Sequence, residues 1–109
     1  HIPSNDEWNI LADYLGGNAL AGGKMKETGT VHWEDPNTGA TNESGFTAIP
    51  GGTRGNGHFD FMGTVGAWWS TTQFDSQTAF FLFLMNDAYS LVQSTADKKY
   101  GYSVRCIKD

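Results

Sequence analysis

The chain has 109 residues and carries twelve acidic against seven basic side chains, a net charge of −5. This balance disfavours a nucleic-acid partner, because binding to phosphates needs clustered lysine and arginine. With 39% hydrophobic and 14% aromatic residues, the sequence is too apolar for a disordered chain. Its length predicts one domain over residues 1–109, and we expect that this domain was trimmed at its N-terminus. No apolar run approaches the ~20 residues of a membrane span, so we expect no membrane insertion by this domain.

The first predicted element is a helix over residues 5–15. Ser4 and Glu7 have the spacing of a capping box, in which each side chain accepts from the other's backbone N–H. Apolar residues then recur along one helix face: Trp8, Leu11, Ala12 and Leu15. The glycines at 16–17 supply the positive φ that ends a helix.

A second helix of a single turn is predicted over residues 19–21. Asn18 is expected to cap its start, because a short amide side chain can accept from the first free backbone N–H groups. The glycines at 22–23 are expected to end it.

Residues 35–57 consist mostly of turn-forming residues, and so long a loop usually needs a pinning interaction. We expect Phe46 and Ile49 to pin it by burying in the core. The glycine-rich segment 51–57 lacks the Lys-Ser/Thr ending of a phosphate-binding loop, so it is interpreted as turns.

The last third of the chain predicts four strands, at residues 68–70, 78–85, 90–94 and 100–107. Helices first and antiparallel strands second indicate an α+β fold. In the fourth strand, alternation places Tyr102, Val104 and Cys106 on one face, which predicts a buried Cys106.

Strand 78–85 is apolar on both faces from Ala79 to Met85. One interpretation is a central strand that the domain itself covers on both sides. The other is an exposed apolar patch on the outer face of strands 78–95, which would mark a contact with a partner. The expected contact residues are Trp69, Phe81, Phe83, Met85 and Gln93.

The chain resembles the Fibrobacter succinogenes major paralogous domain over nearly its whole length. The matching segments are HIPSNDEW (1–8), LGG (15–17), AGGKMK (21–26), GATNESGF (39–46), WWS (68–70) and GYSVRC (101–106). The resemblance implies a C-type-lectin-like fold, shared with formylglycine-generating enzymes and with the variable proteins of diversity-generating retroelements. It also implies a bacterial protein that is secreted or anchored at the cell surface, often as a lipoprotein.

Cys106 is the single cysteine of the chain. Members of the family usually carry a Cys-Pro-x-Gly-Trp segment before the position of His1, and this segment is missing here. The resemblance therefore implies that Cys106 had a disulfide partner in that segment. The alternative is a buried free thiol, a common state for cysteine.

No residue pattern predicts catalysis. The related formylglycine-generating enzymes need a reactive cysteine pair, whereas this chain has one cysteine. Its histidines lack the spacing of a zinc site: His1, His32 and His58. We therefore expect no enzyme activity and no cofactor.

Calcium remains an open alternative. Lectin calcium sites place proline between carboxylate and carboxamide side chains, as in Asp35-Pro36-Asn37, but an ordinary turn explains this triplet more simply. The loop residues with suitable oxygen atoms are Asp35, Asn37, Asn42, Glu43 and Asp87.

The sequence thus favours a non-catalytic extracellular module for binding, adhesion or assembly. Phenylalanine and methionine on the strand face favour a protein partner or self-association. A carbohydrate-binding lectin-like domain is the first alternative, and a degenerate enzyme of the formylglycine-generating type is the second.

Overall fold

The computed structural model describes residues 1–109, and its first helix begins at the predicted capping box. The Glu7 N–H donates to the Ser4 hydroxyl at 3.1 Å, and the Ser4 N–H donates to the Glu7 carboxylate at 3.0 Å. Helix α1 spans Asn5–Tyr14 and buries Trp8 and Ala12 against the core. The predicted helix and its cap are confirmed.

Helix α2 spans Asn18–Met25. The sequence predicted that the glycines at 22–23 end this helix, but the helix continues through them. The cap is Gly17, with no side-chain hydrogen bond, rather than Asn18. A Cβ atom on Gly22 would lie 2.2 Å from the Ser90 carbonyl oxygen, and one on Gly23 would lie 2.4 Å from another backbone carbonyl oxygen. These glycines therefore permit close backbone packing, although glycine inside a helix costs about 1 kcal/mol.

Five strands follow the helices in chain order: β1 Thr53–Gly55, β2 His58–Asp60, β3 Val65–Gln73, β4 Thr78–Met85 and β5 Leu91–Asp97. β1 and β2 form an antiparallel hairpin, and β3, β4 and β5 form an antiparallel sheet in that order. The α+β class and the bounds of β4 are confirmed, while β3 is longer than predicted. β1 and β2 lie where the sequence predicted only loop or no element.

The predicted fourth strand over 100–107 is wrong. Gly101 forms a bridge with Arg54 of β1, and Ser103 forms a bridge with Trp68 of β3, but no continuous strand develops. Beyond Ser103 the backbone hydrogen bonds go to His1 rather than to the sheet, and Cys106 is exposed instead of buried. Alternation predicted burial only on the assumption that the strand continued.

The core lies between the helices and one face of the three-stranded sheet. Its largest members are three tryptophans and the leucines of the sheet: Trp8, Trp33, Trp68, Leu82, Leu84 and Leu91. Phe46 packs half-buried against this core, as expected, but Ile49 is 50% exposed and does not pin the loop. Neither helix has the length and apolar character needed to cross a membrane.

Lys26 fastens the long loop to the end of the sheet. Its side chain is fully buried, and the ammonium donates to the carbonyl oxygens of Thr38, Met85 and Ala88 at 2.7, 2.9 and 3.0 Å. Burial lowers the pKa of Lys26 to about 8, and nearby Asp87 acts in the opposite direction. The ammonium form therefore still predominates at neutral pH. Nothing local in the sequence marked this lysine as buried.

Candidate binding surface

The outer face of the sheet, defined here as the face away from the helices, carries alternate residues of β4. Leu82 and Leu84 point to the helices and are 0% exposed. Phe81, Phe83 and Met85 point the other way and are half-buried. The outer face therefore has a partial cover, and neither of the two simple interpretations of this strand describes it fully.

Four of the five predicted contact residues lie on the outer face. Trp69 is opposite Phe81 in the β3–β4 register, and Phe83 and Met85 follow on the same side of β4. Phe81 and Phe83 stack with ring centroids 5.7 Å apart. Their position is as expected, and their role in contacting a partner stays a prediction.

Gln93 lies on the opposite face, contrary to the sequence-based expectation. It is paired with Leu82, so its side chain points to the helices. The amide donates to the Asn5 side chain at 3.3 Å and accepts from the Asn18 side chain at 3.5 Å. Strand position alone did not fix the register that decides this orientation.

Tyr102 is the residue that sequence reasoning missed on the outer face. Its ring centroid lies 4.5 Å from that of Trp69 and 4.5 Å from that of Phe81. The hydrogen bonds of Ser103 to β3 hold it there, and burial raises the pKa of its hydroxyl. Two of the predicted contact residues are therefore covered by the chain's own C-terminal segment.

A groove of about 320 Å³ runs beside this aromatic cluster, between the sheet and the β1–β2 hairpin. Its floor is apolar and comes from β3 and β4: Val65, Ala67, Phe81 and Phe83. Its walls come from the hairpin and the C-terminal segment: Thr53, Arg54, Gly55, Asn56, Asp60, Phe61, Tyr100 and Tyr102. Phe83 is thus the predicted contact residue that is best placed to meet a ligand, because it lies in the floor and outside the stack under Tyr102.

Phe61 at the rim of the groove has an unusual backbone. Its φ of +64° lies in the left-handed region, which bulky residues rarely adopt, and its side chain is 61% exposed. The Phe61 carbonyl accepts from the N–H groups of Thr64 and Val65, which holds this turn closed. Strained and exposed aromatic residues are typical of contact sites, so Phe61 joins Phe83 as a candidate contact.

Two of the five residues proposed for calcium, Asn37 and Asn42, tie down the loops with their side chains. The Asn37 amide donates to the carbonyl oxygens of Glu27 and Gly29 at 2.9 and 2.7 Å. Asn42 accepts from the Thr47 N–H at 2.8 Å. No group of three or more His, Cys, Asp or Glu side chains comes together as metal ligands would.

The two chain termini meet beside Cys106. The Ile107 N–H donates to the His1 carbonyl at 2.7 Å, and the His1 amino group donates to the Ile107 carbonyl at 2.8 Å. Hydrogen bonds to the Asp109 and Glu7 carboxylates raise the pKa of the His1 side chain. His1 therefore lies beside Ile107, the residue that follows the exposed Cys106 in the chain.

The chain belongs to the Fibrobacter succinogenes major domain family, whose sequence model matches residues 1–108. Comparison with curated proteins and with solved structures gave no match.

Proposed function

We propose that this domain is a non-catalytic binding module that contacts a protein partner through the groove on its outer face. The observation that carries the proposal is the apolar floor, to which Phe81 and Phe83 contribute, next to the exposed and strained Phe61. Phenylalanine is enriched in the cores of protein interfaces, where buried aromatic side chains dominate the binding energy.

The composition of the floor favours protein side chains over sugars. Val65, Ala67 and Phe83 offer no hydrogen-bonding side-chain group, whereas a sugar ring carries hydroxyls around its edge that need partners. An apolar or aromatic side chain fills such a floor without leaving unpaired polar groups.

We propose further that the domain has a C-type-lectin-like fold and acts at the bacterial surface or outside the cell. The resemblance of the family supports both parts. The order of the elements, with two helices before an antiparallel sheet, is compatible with this fold. The lone cysteine supports a non-catalytic role, because chemistry of the formylglycine-generating type needs a pair.

The test compares the wild-type domain with the variant Phe61→Ser/Phe83→Ser. Each immobilised protein is exposed to a surface-protein extract, and the bound proteins are quantified by mass spectrometry and then assayed in purified form. We expect the double variant to bind the partner about 10- to 100-fold more weakly, since central aromatic residues dominate interfaces.

The matched control is Ile10→Ser, because Ile10 is 69% exposed on α1, an element on the other side of the sheet. This variant should bind the partner like the wild type. Equal binding by the wild type and the double variant would contradict the proposal.

Carbohydrate binding is the second candidate, and the walls of the groove favour it. Tyr100 and Tyr102 lie there with the side chains of Arg54, Asn56 and Asp60, a combination of aromatic rings with charged and amide groups. A glycan array decides between the two functions. A sugar ligand should be lost in Asp60→Ala, while a protein partner should be lost in Phe83→Ser.

A further inference from the structure

Strand β5 is the last strand of the three-stranded sheet and pairs with β4 on one side only. Its register with β4 is continuous over seven consecutive pairs, from Leu84↔Leu91 to Thr78↔Asp97. The direction of each backbone group on the other side of β5 follows from hydrogen bonds elsewhere in the sheet.

Two hydrogen bonds fix the directions of the backbone groups in β3. The Ser103 N–H donates to the Ala67 carbonyl at 2.9 Å, and the Trp69 N–H donates to the Ser103 carbonyl at 3.1 Å. The backbone groups of Ala67 and Trp69 therefore point away from β4. Because these directions alternate along a strand, the backbone groups of Trp68 point to β4, where its partner is Leu82.

The same alternation extends across β4 to β5. The backbone groups of Leu82 point to β3, so those of Phe81 and Phe83 point to β5, where their partners are Ser94 and Val92. The N–H and C=O groups of Gln93 therefore point out of the sheet, as do those of Thr95. Neither residue forms a backbone hydrogen bond to a turn, loop or terminus of its own chain.

Natural sheets usually protect such an edge with a charge, a proline, a bulge or a very short strand. From Leu91 to Ala96 the strand has no charged residue and no proline. Its register shows no irregularity, and β5 is seven residues long. Thr95 and Ser94 are exposed, so no element of the domain covers the middle of this edge.

We propose that this edge joins two copies of the chain by antiparallel pairing of their β5 strands around Ser94. In that register Gln93 of one copy lies opposite Thr95 of the other, so the outward-pointing residues meet as hydrogen-bonded pairs. Each such pair exchanges two N–H···O bonds, which gives about four between the copies. The resulting sheet has six strands and a two-fold axis at Ser94, the closed symmetry of most homodimers.

Two further features favour a second copy as the occupant. Val92 lies opposite Ala96 of the other copy, so the outer faces join on the same side and form one larger apolar surface. Asp97 is the first charged residue of the strand, and it lies opposite Leu91 rather than its own counterpart. Each chain has a net charge of −5, but no two like-charged side chains face each other within the paired strands.

The first experiment is sedimentation velocity on the wild-type chain and on Thr95→Pro. Proline at 95 removes an outward N–H and leaves the β4–β5 ladder intact, because that ladder uses Val92, Ser94 and Ala96. We expect a concentration-dependent dimer for the wild type and association weakened by at least about tenfold for the variant. A wild-type chain that stays monomeric at about 1 mM would overturn the proposal. Pairing of β5 with a strand of a different protein would overturn it as well, if the chain does not also pair with itself.

The second experiment uses charge at the two-fold axis and keeps every backbone group. Ser94→Lys and Ser94→Asp each bring two like charges together, so each variant alone should be monomeric. An equimolar mixture of the two should form dimers again, since the charges then attract. Failure of the mixture to associate would overturn the proposed register, and Ser94→Thr is the control that should dimerise normally. Because these variants leave Phe61 and Phe83 unchanged, failure here leaves the proposed function untouched.

Discussion

The two faces of the three-stranded sheet are covered in different ways, although β4 is equally apolar on both. On the inner face Leu82 and Leu84 are 0% exposed under the helices, and Lys26 closes the end of this side. On the outer face the cover consists of Tyr102 and one edge of the β1–β2 hairpin, so Phe81 and Phe83 stay half-buried. The alternation of side chains thus predicts which residues share a face of β4. It does not predict which face is buried in the core and which is left open to a partner.

The largest effect should come from Lys26→Met, which breaks the closure of the inner side. Methionine keeps most of the volume but leaves the carbonyl oxygens of Thr38, Met85 and Ala88 without their donor. An unsatisfied buried acceptor costs about 1–3 kcal/mol, so for three carbonyls we expect a loss of about 3–5 kcal/mol in the free energy of unfolding, measured by urea denaturation.

The control for this substitution is Lys24→Met, which changes the neighbouring half-buried lysine of α2. It should change the free energy of unfolding by less than about 0.5 kcal/mol. Similar losses in both variants would show that the buried ammonium has no special role.

Lys26 also shows where prediction from sequence stops. The capping box at Ser4, the bounds of β4 and the alternation of its side chains follow from local patterns, and all three are confirmed. The three acceptors of Lys26 lie 12, 59 and 62 residues away in the chain, so no local pattern contains them. No local pattern predicts the position of Tyr102 either. Its ring covers Trp69 because the neighbouring Ser103 hydrogen-bonds to Ala67 and Trp69 of β3, and not because residue 102 belongs to a strand.

The predictions of an outward-facing Gln93 and of a buried Cys106 were wrong for one shared reason. Both rested on the faces of strands whose register or extent the sequence did not determine. A shift of one residue moves every side chain to the other face. The candidate groove was likewise beyond reach, because Arg54, Asp60 and Phe61 meet the sheet only through tertiary packing.

The second prediction sharpens the comparison directly with neighbouring residues of β4. Leu82→Ala removes a fully buried side chain and should lower the free energy of unfolding by about 3 kcal/mol, within the usual range for such cavities. Phe83→Ala removes a larger but half-buried side chain and should cost about 1 kcal/mol. Thermal or urea unfolding of both variants tests this, and a larger loss for Phe83 would reverse the assignment of the two faces.

The third prediction removes the cover of the outer face. Tyr102→Ala loses ring contacts with Trp69 and Phe81, each at 4.5 Å, and should destabilise the domain by about 2 kcal/mol. It should also increase the binding of an apolar fluorescent dye, because both rings become accessible. Tyr14→Ala, at an 85% exposed position on α1, should change neither quantity.

The smallest expected effect is a rise of stability with pH that comes from Lys26. Its pKa is about 8 in the folded chain, against an ordinary value of 10.5. Between these values the unfolded chain holds the proton that the folded chain releases, so the free energy of unfolding should rise with pH. We expect a gain of about 1 kcal/mol between pH 8 and pH 9. The measurement should stop near pH 10, because the raised pKa of Tyr102 gives the opposite slope above that value. In Lys26→Met the rise should disappear, whereas Lys24→Met should retain it; a slope that survives in Lys26→Met would assign the titration to another group.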